Sequence, residues 1–239
     1  LIANLPITVC PSGALTKDAH LQETFRHELL AFIADQLPHW RDRADRKPAT
    51  AETVLTSQLC AHLNSASRHS DGWDILQFRV EETDEQETGR KVDLVAAPCG
   101  ATILIDGRRH TDFDSLMPIE CKRLPTPKDK KRDEREYVFS RHASTGGIQR
   151  FKQGHHGAAH SLAGMIGYIQ ENDAKHWHKS VTTWIDALAD QAEPGWTSAD
   201  HLQMNSDDEE LGLTVLRSHH ERTDALPAIE LRHLWLRMN

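Results

Sequence analysis

Residues 116–123, LMPIECKR, decide what kind of fold this chain can adopt. Read as a strand closed off by Pro125 and Pro127, the stretch puts residues two apart on one face. Ile119 and Cys121 then share an apolar, core-facing side, and Glu120 and Lys122 share the other. A carboxylate and an ammonium side by side on so apolar a strand are costly unless something binds them. Asp93 raises the same question upstream, because it interrupts the apolar run KVDLVAA at residues 91–97.

Working outward, short apolar runs bounded by turn residues predict further strands. One contains Ile75, Phe78 and Val80, one is residues 91–97, and one is ATILI at residues 101–105. Asp93 and Glu120 are 27 residues apart, a spacing that predicts an inserted hairpin around residues 101–114. Helical periodicity flanks this block on both sides. Leu21, Phe25, Leu29, Ile33 and Leu37 predict an amphipathic helix over residues 17–36, with Pro38 as its stop. A second helix is expected from Pro48 to about residue 64. Its stripe of Glu52, Leu55, Leu59 and Leu63 turns a carboxylate inward.

Downstream, helices are expected at 132–139, 148–152 and 158–171, and again where Trp177, Val181, Trp184 and Leu188 recur. Strands are expected at 213–216 and 229–235, with a turn at 224–227 between them. Helices, then strands, then helices, then strands imply an α/β fold with a mixed sheet.

The composition is that of a soluble globular chain: 239 residues, 38% hydrophobic, 27% charged. No apolar run is long enough to span a membrane, so no membrane association is expected. The apolar start at residues 1–10 lacks a basic leader and does not read as a signal peptide. Cys10, Cys60, Cys99 and Cys121 are scattered without CxxC spacing, as expected of thiols in the cytoplasm. The formal charge of −8 argues against a general nucleic-acid coat, yet the charge is polarised. Residues 122–152 carry ten Lys and Arg against four Asp and Glu, directly after the Glu120–Lys122 strand. The sixteen histidines include His155, His156 and His160, but no zinc spacing, so they read as surface or packing residues.

Three carboxylates and a lysine on inward-facing elements fit a site for a hard cation such as Mg²⁺. Their order, Glu52 on a helix, Asp93 on a strand, then Glu120-x-Lys122 on a strand, resembles the PD-(D/E)xK nuclease superfamily across residues 48–170. No proline precedes Asp93, which departs from that pattern. The Gly146–Phe151 segment resembles the helix that follows the catalytic strand in many members.

The resemblance implies a restriction-endonuclease-like α/β fold, a mixed β-sheet flanked by helices with N-terminal and C-terminal additions. Residues 1–47 would form a helical extension, 48–170 the nuclease core, and 171–239 a helix and strands completing the same domain. It implies Mg²⁺, with Mn²⁺ able to substitute, held by Asp93, Glu120 and the Cys121 carbonyl. Lys122 would orient the attacking water, Glu52 would hold a second metal or a metal-bound water, and Gln149 would support the site. DNA would be the substrate, cut to leave a 5′-phosphate and a 3′-hydroxyl, by an endonuclease ahead of an exonuclease, in prokaryotic defence or repair.

Lys128, Lys130, Lys131, Arg132, Arg150 and Lys152 would then contact phosphates without reading sequence. With no zinc finger or helix-turn-helix in view, target choice would come from a protein partner (a recognition subunit or ATPase), from DNA structure, or from a homodimer. Two other classes stay open on the residues alone: a catalytically silent binding subunit of the same fold, and an RNA-directed nuclease.

Overall fold

A computed structural model of the chain describes residues 24–83, 90–105, 107–130, 132–141, 145–223 and 225–239. Lys131, Cys10, the first residues of the expected N-terminal helix and part of the acidic turn after β1 lie outside them. The elements in chain order are α1 (Phe25–Arg41), α2 (Glu52–Ser67), β1 (Leu76–Thr83), β2 (Lys91–Pro98), β3 (Ile103–Ile105) and β4 (Arg108–His110). There follow β5 (Met117–Leu124), α3 (Gly147–Lys152), β6 (Leu162–Ile169), α4 (Ala174–Asp190), β7 (Gln203–Asp208), β8 (Leu213–His220) and β9 (Ile229–Arg237).

Seven strands form one mixed sheet in the order β1-β2-β5-β6-β9-β8-β7, and β3 and β4 pair separately as the inserted hairpin. In the centre β6 runs parallel to both β5 and β9, and the outer pairs are antiparallel. The strands after residue 171 therefore continue the same sheet. Helices cover both faces. On one, α1 and α2 pack Leu29, Ile33, Leu37, Leu55, Leu59 and Leu63 against Ile119, Cys121, Ile166 and Tyr168. On the other, Val181, Ile185 and Leu188 of α4 meet Ala163, Met165, Leu231 and Trp235. Each such side chain removed from water contributes about 1.5–3 kcal/mol.

Four local expectations are corrected. Residues 158–171 hold a strand, β6, where helical spacing suggested a helix. Its eight residues are all buried between β5 and β9, and a strand covered on both faces reads as a continuous apolar run with no alternation to reveal it. The two glycines serve strand packing: a Cβ on Gly167 would lie 2.5 Å from Trp235 Cδ1, and one on Gly164 3.1 Å from Ile119 Cγ1.

Pro38 does not stop α1 but sits inside its last turn. It forfeits one hydrogen bond there, while Leu37 and Trp40 hold the turn to the core and Pro38 O accepts from Asp42 N. α2 begins at Glu52, not near Pro48, because the backbone is still extended at Ala51.

Residues 132–139 form turns, not a helix. The carbonyls of Glu136, Tyr137 and Val138 are taken instead by the first amides of α3, at Gly147, Ile148 and Gln149. That close docking needs Gly146, where a Cβ would fall 2.4 Å from Phe139 Cα. β7 had no apolar alternation to announce it, since all six of its residues are exposed. Among the described residues no helix is long and apolar enough to cross a membrane.

Candidate active site

β2 and β5 pair from Ala96↔Met117 to Leu94↔Ile119. One step further, where Asp93 and Glu120 would stand opposite, the Asp93 carboxylate accepts the Cys121 N–H at 2.9 Å. A side chain thus occupies the place of a ladder bond. Cys121 and Ile119 face α1 and α2, which leaves Glu120 and Lys122 on the α3 side.

Glu52 arrives from the opposite layer. It opens α2, and its Oε2 accepts the Arg123 N–H at 3.0 Å, so the helix start is pinned to the end of β5. The Lys122 ammonium is the common centre. It lies 2.7 Å from Glu120 Oε1 and 3.6 Å from both Asp93 Oδ2 and Glu52 Oε1. The four residues that sequence reasoning singled out are therefore brought together.

Two further side chains join them. Arg150 of α3 donates to Glu120 Oε1 at 2.5 Å, a site ion pair rather than an open phosphate contact. His156 Nδ1 lies 3.1 Å from Glu120 Oε2, though neither atom has a hydrogen-bond partner in good alignment. Its spacing carried no metal signature. The available signal was the pair of glycines around it: Gly154 and Gly157 both adopt positive φ, which turns the segment back after α3.

The remaining expected residues are placed differently. Gln149 is buried with its Oε1 accepting from Ser140 N and Gly146 N, so it ties down the loop before α3 instead of facing the carboxylates. Lys152 is buried, and its ammonium is 2.5 Å from Asp200 Oδ1; it cannot lie on a DNA track. Arg132 pairs with Glu136 at 2.6 Å. Lys128 and Lys130 are exposed, and Lys131 lies outside the described residues.

The electrostatics divide the two strand carboxylates. Burial, then the charge of Glu120, pushes Asp93 up from 3.8 to about 6, against the pull of Lys122 and the Cys121 amide. Glu120 goes the other way. Burial opposes its charge, but Lys122, His156 and Arg150 outweigh burial and hold the carboxyl well below its usual range. Burial likewise opposes the Lys122 charge, and Glu120, Asp93 and Glu52 overcome it.

Among the described residues no three His, Cys, Asp or Glu side chains form a group that could hold a metal ion. A cation here would rest on two carboxylates, the Cys121 carbonyl and water. That donor set suits Mg²⁺, which keeps several waters. One feature fits it: Glu120 Oε2 is buried without a hydrogen bond. The Cys121 carbonyl already receives Lys122 Nζ at 3.2 Å.

Comparison of the chain with family models, with curated proteins and with solved structures finds no match.

Proposed function

We propose that this chain is a Mg²⁺-dependent nuclease of the PD-(D/E)xK kind, with a restriction-endonuclease-like core, that hydrolyses DNA phosphodiester bonds. The observation that carries the reading is the convergence of Glu52, Asp93 and Glu120 on the single ammonium of Lys122, beside a gap between β2 and β5. Asp93, Glu120 and the Cys121 carbonyl would hold the ion. A bound divalent cation supplies an acidified water and a counter-charge for the phosphoryl oxygens.

The chain's own residues do the rest. Glu52 holds the end of β5 through Arg123 N and keeps a carboxylate near Lys122. Lys122, kept charged by its three neighbours, donates to the attacking water and adds positive charge where the reacting phosphorus gathers negative charge. Arg150 holds Glu120 in place and is a second cation beside it. The buried Gln149 keeps α3 at the distance this requires.

The direct test is nicking of supercoiled plasmid with Mg²⁺ or Mn²⁺ and with EDTA. Cleavage is expected with the ions alone, and no cleavage under any divalent cation would sink the proposal. One observation favours a second reading, a catalytically silent binding subunit. Glu120 Oε1 is already shared by Lys122 and Arg150, so the cluster is largely balanced without an added ion. Calorimetry separates the two, since the silent subunit binds neither Mg²⁺ nor Mn²⁺.

The exposed pair Lys128 and Lys130 is where the chain leaves β5. If both touch phosphates, replacing them with Gln lowers the salt slope of DNA binding by about 0.9 for each phosphate no longer neutralised. Chemistry on saturating DNA should not change. An unaltered slope would show a solvated loop with no part in binding.

A further inference from the structure

The same sheet face holds a second feature, one residue pair along the strands from the catalytic carboxylates. Val95 is two residues beyond Asp93 and Pro118 two residues before Glu120, and Val95 pairs with Pro118. Together with Gly157, Ala158 and Arg79 they line a small cleft that opens to solvent. Phe113 stands at its rim and is 92% exposed.

An aromatic ring so exposed is unusual, and here it is held out by its neighbours. The carboxylates on either side are turned inward onto backbone. Asp112 Oδ1 accepts from Gly100 N at 2.9 Å, and Asp114 Oδ2 accepts from Thr111 N at 2.7 Å and Thr111 Oγ1 at 2.8 Å. Arg79 Nη1 donates to Asp112 O at 3.1 Å, which ties the turn to β1. The turn is therefore braced on both sides, and the ring is presented to solvent with its acidic neighbours' charge directed onto the backbone.

We propose that this cleft is a nucleobase subsite, in which one unpaired base of the DNA strand at the catalytic cluster stacks on Phe113. The inference rests on the nuclease reading and narrows its substrate to strands with unpaired bases: single strands, flaps, gaps or locally melted duplex. Several observations favour a base over a protein side chain. The cleft adjoins the carboxylates, within reach of one nucleotide. Its lining mixes the apolar Val95, Pro118 and Ala158 with the polar Thr83, Ser115 and His160. Arg79 lies at the edge, 3.4 Å from the Glu82 carboxylate of the same lining. Stacking on a fixed aromatic is tolerant of sequence, as suits a chain without a base-reading motif.

The test measures binding in EDTA of a labelled single-stranded oligonucleotide and of the blunt duplex of the same sequence, to wild type, Phe113→Ala and Phe113→Trp. The exposure of Phe113 means the substitutions leave the fold intact. Wild type and Phe113→Trp are expected to bind the single strand about tenfold more tightly than Phe113→Ala. All three should bind the duplex equally. The subsite is overturned if Phe113→Ala binds the single strand as wild type does, if it loses the same factor on duplex, or if wild type does not bind the single strand. Because cleavage plays no part in this measurement, a protein that stacks bases but never cuts would refute the nuclease reading alone.

Discussion

On the proposed nuclease reading, Asp93→Asn and Glu120→Gln should each lower Mg²⁺-dependent cleavage by on the order of 10²–10³-fold or more, while shifting stability in opposite directions. The two carboxylates sit in opposite electrostatic situations. Asp93 is raised to about 6 by burial and by Glu120. Between 3.8 and about 6 the folded chain therefore binds more protons at this site than the unfolded chain does. Its contribution to stability falls as pH rises through that window and stays low above it.

Asparagine removes the charge yet keeps an oxygen for the Cys121 N–H, so Asp93→Asn should melt higher at pH 7.5. The carboxylate is 29% exposed, which screens part of the effect and leaves a gain of about 1–2 kcal/mol. At pH 4 the gain should vanish. Glu120 is the reverse case, a fully buried carboxylate held ionised by Lys122, His156 and Arg150. Its neutral replacement leaves Arg150 without its carboxylate and Lys122 with only its two 3.6 Å partners, so Glu120→Gln should melt lower. Plasmid nicking and thermal melts at both pH values check the pair. Near-wild-type cleavage by either variant would remove that residue from the proposed metal site, and a lower melting point for Asp93→Asn would refute the electrostatic account.

Local pattern reached as far as pairs of residues that share a strand or a helix face. Glu120 and Lys122 share a face because strands alternate, and Glu52 stands on the stripe of Leu55, Leu59 and Leu63 because helices repeat. Those rules placed all three in the cluster, and the 27-residue spacing correctly announced the β3–β4 hairpin. What failed depends on non-local packing. Nothing near LAGMIGYI says that β5 and β9 will enclose it, so its uniform burial resembled a helix. Lys152 sits three residues from Gln149 in a basic stretch, and it is the distant Asp200, Glu221 carbonyl and Trp196 ring that explain why it is buried. His156 reaches Glu120 through a backbone reversal at two glycines, which spacing rules for metal ligands do not register.

Asp200→Ala is expected to be the most destabilising single change outside the apolar core, costing about 3–5 kcal/mol in urea unfolding at pH 7. Asp200 ends a buried chain of polar groups whose direction can be worked out from both ends. At one end Trp235 Nε1–H, which can only donate, gives its proton to Tyr137 OH at 2.7 Å. The Tyr137 hydroxyl then donates to His233 Nδ1 at 2.8 Å. Burial holds His233 well below its usual pKa, so the ring is neutral and carries its one proton on Nε2, toward Ser218 Oγ at 2.7 Å.

Ser218 donates its own proton to His220 Nε2 at 2.6 Å, leaving His220 Nδ1–H to donate to Asp200 Oδ1 at 2.6 Å. From the other end, a carboxylate can only accept, which requires the same His220 tautomer. The order of carboxylate, imidazole and hydroxyl is that of a nucleophilic triad, but Ser218 and His220 are at most 1% exposed, so no substrate reaches them. The chain instead anchors α3, because Lys152 donates to the same carboxylate and Arg150, two residues earlier, reaches Glu120.

Removing the Asp200 carboxylate leaves the Lys152 ammonium and the His220 N–H buried without it, and also frees Thr197 N, which donates to Asp200 Oδ2 at 2.8 Å. Ser218→Ala interrupts the chain between two neutral rings and should cost less, about 1–3 kcal/mol. The ranking is the test. If Asp200→Ala unfolds within about 1 kcal/mol of wild type, water or a rearranged Lys152 satisfies these groups, and the chain does not hold α3 in place.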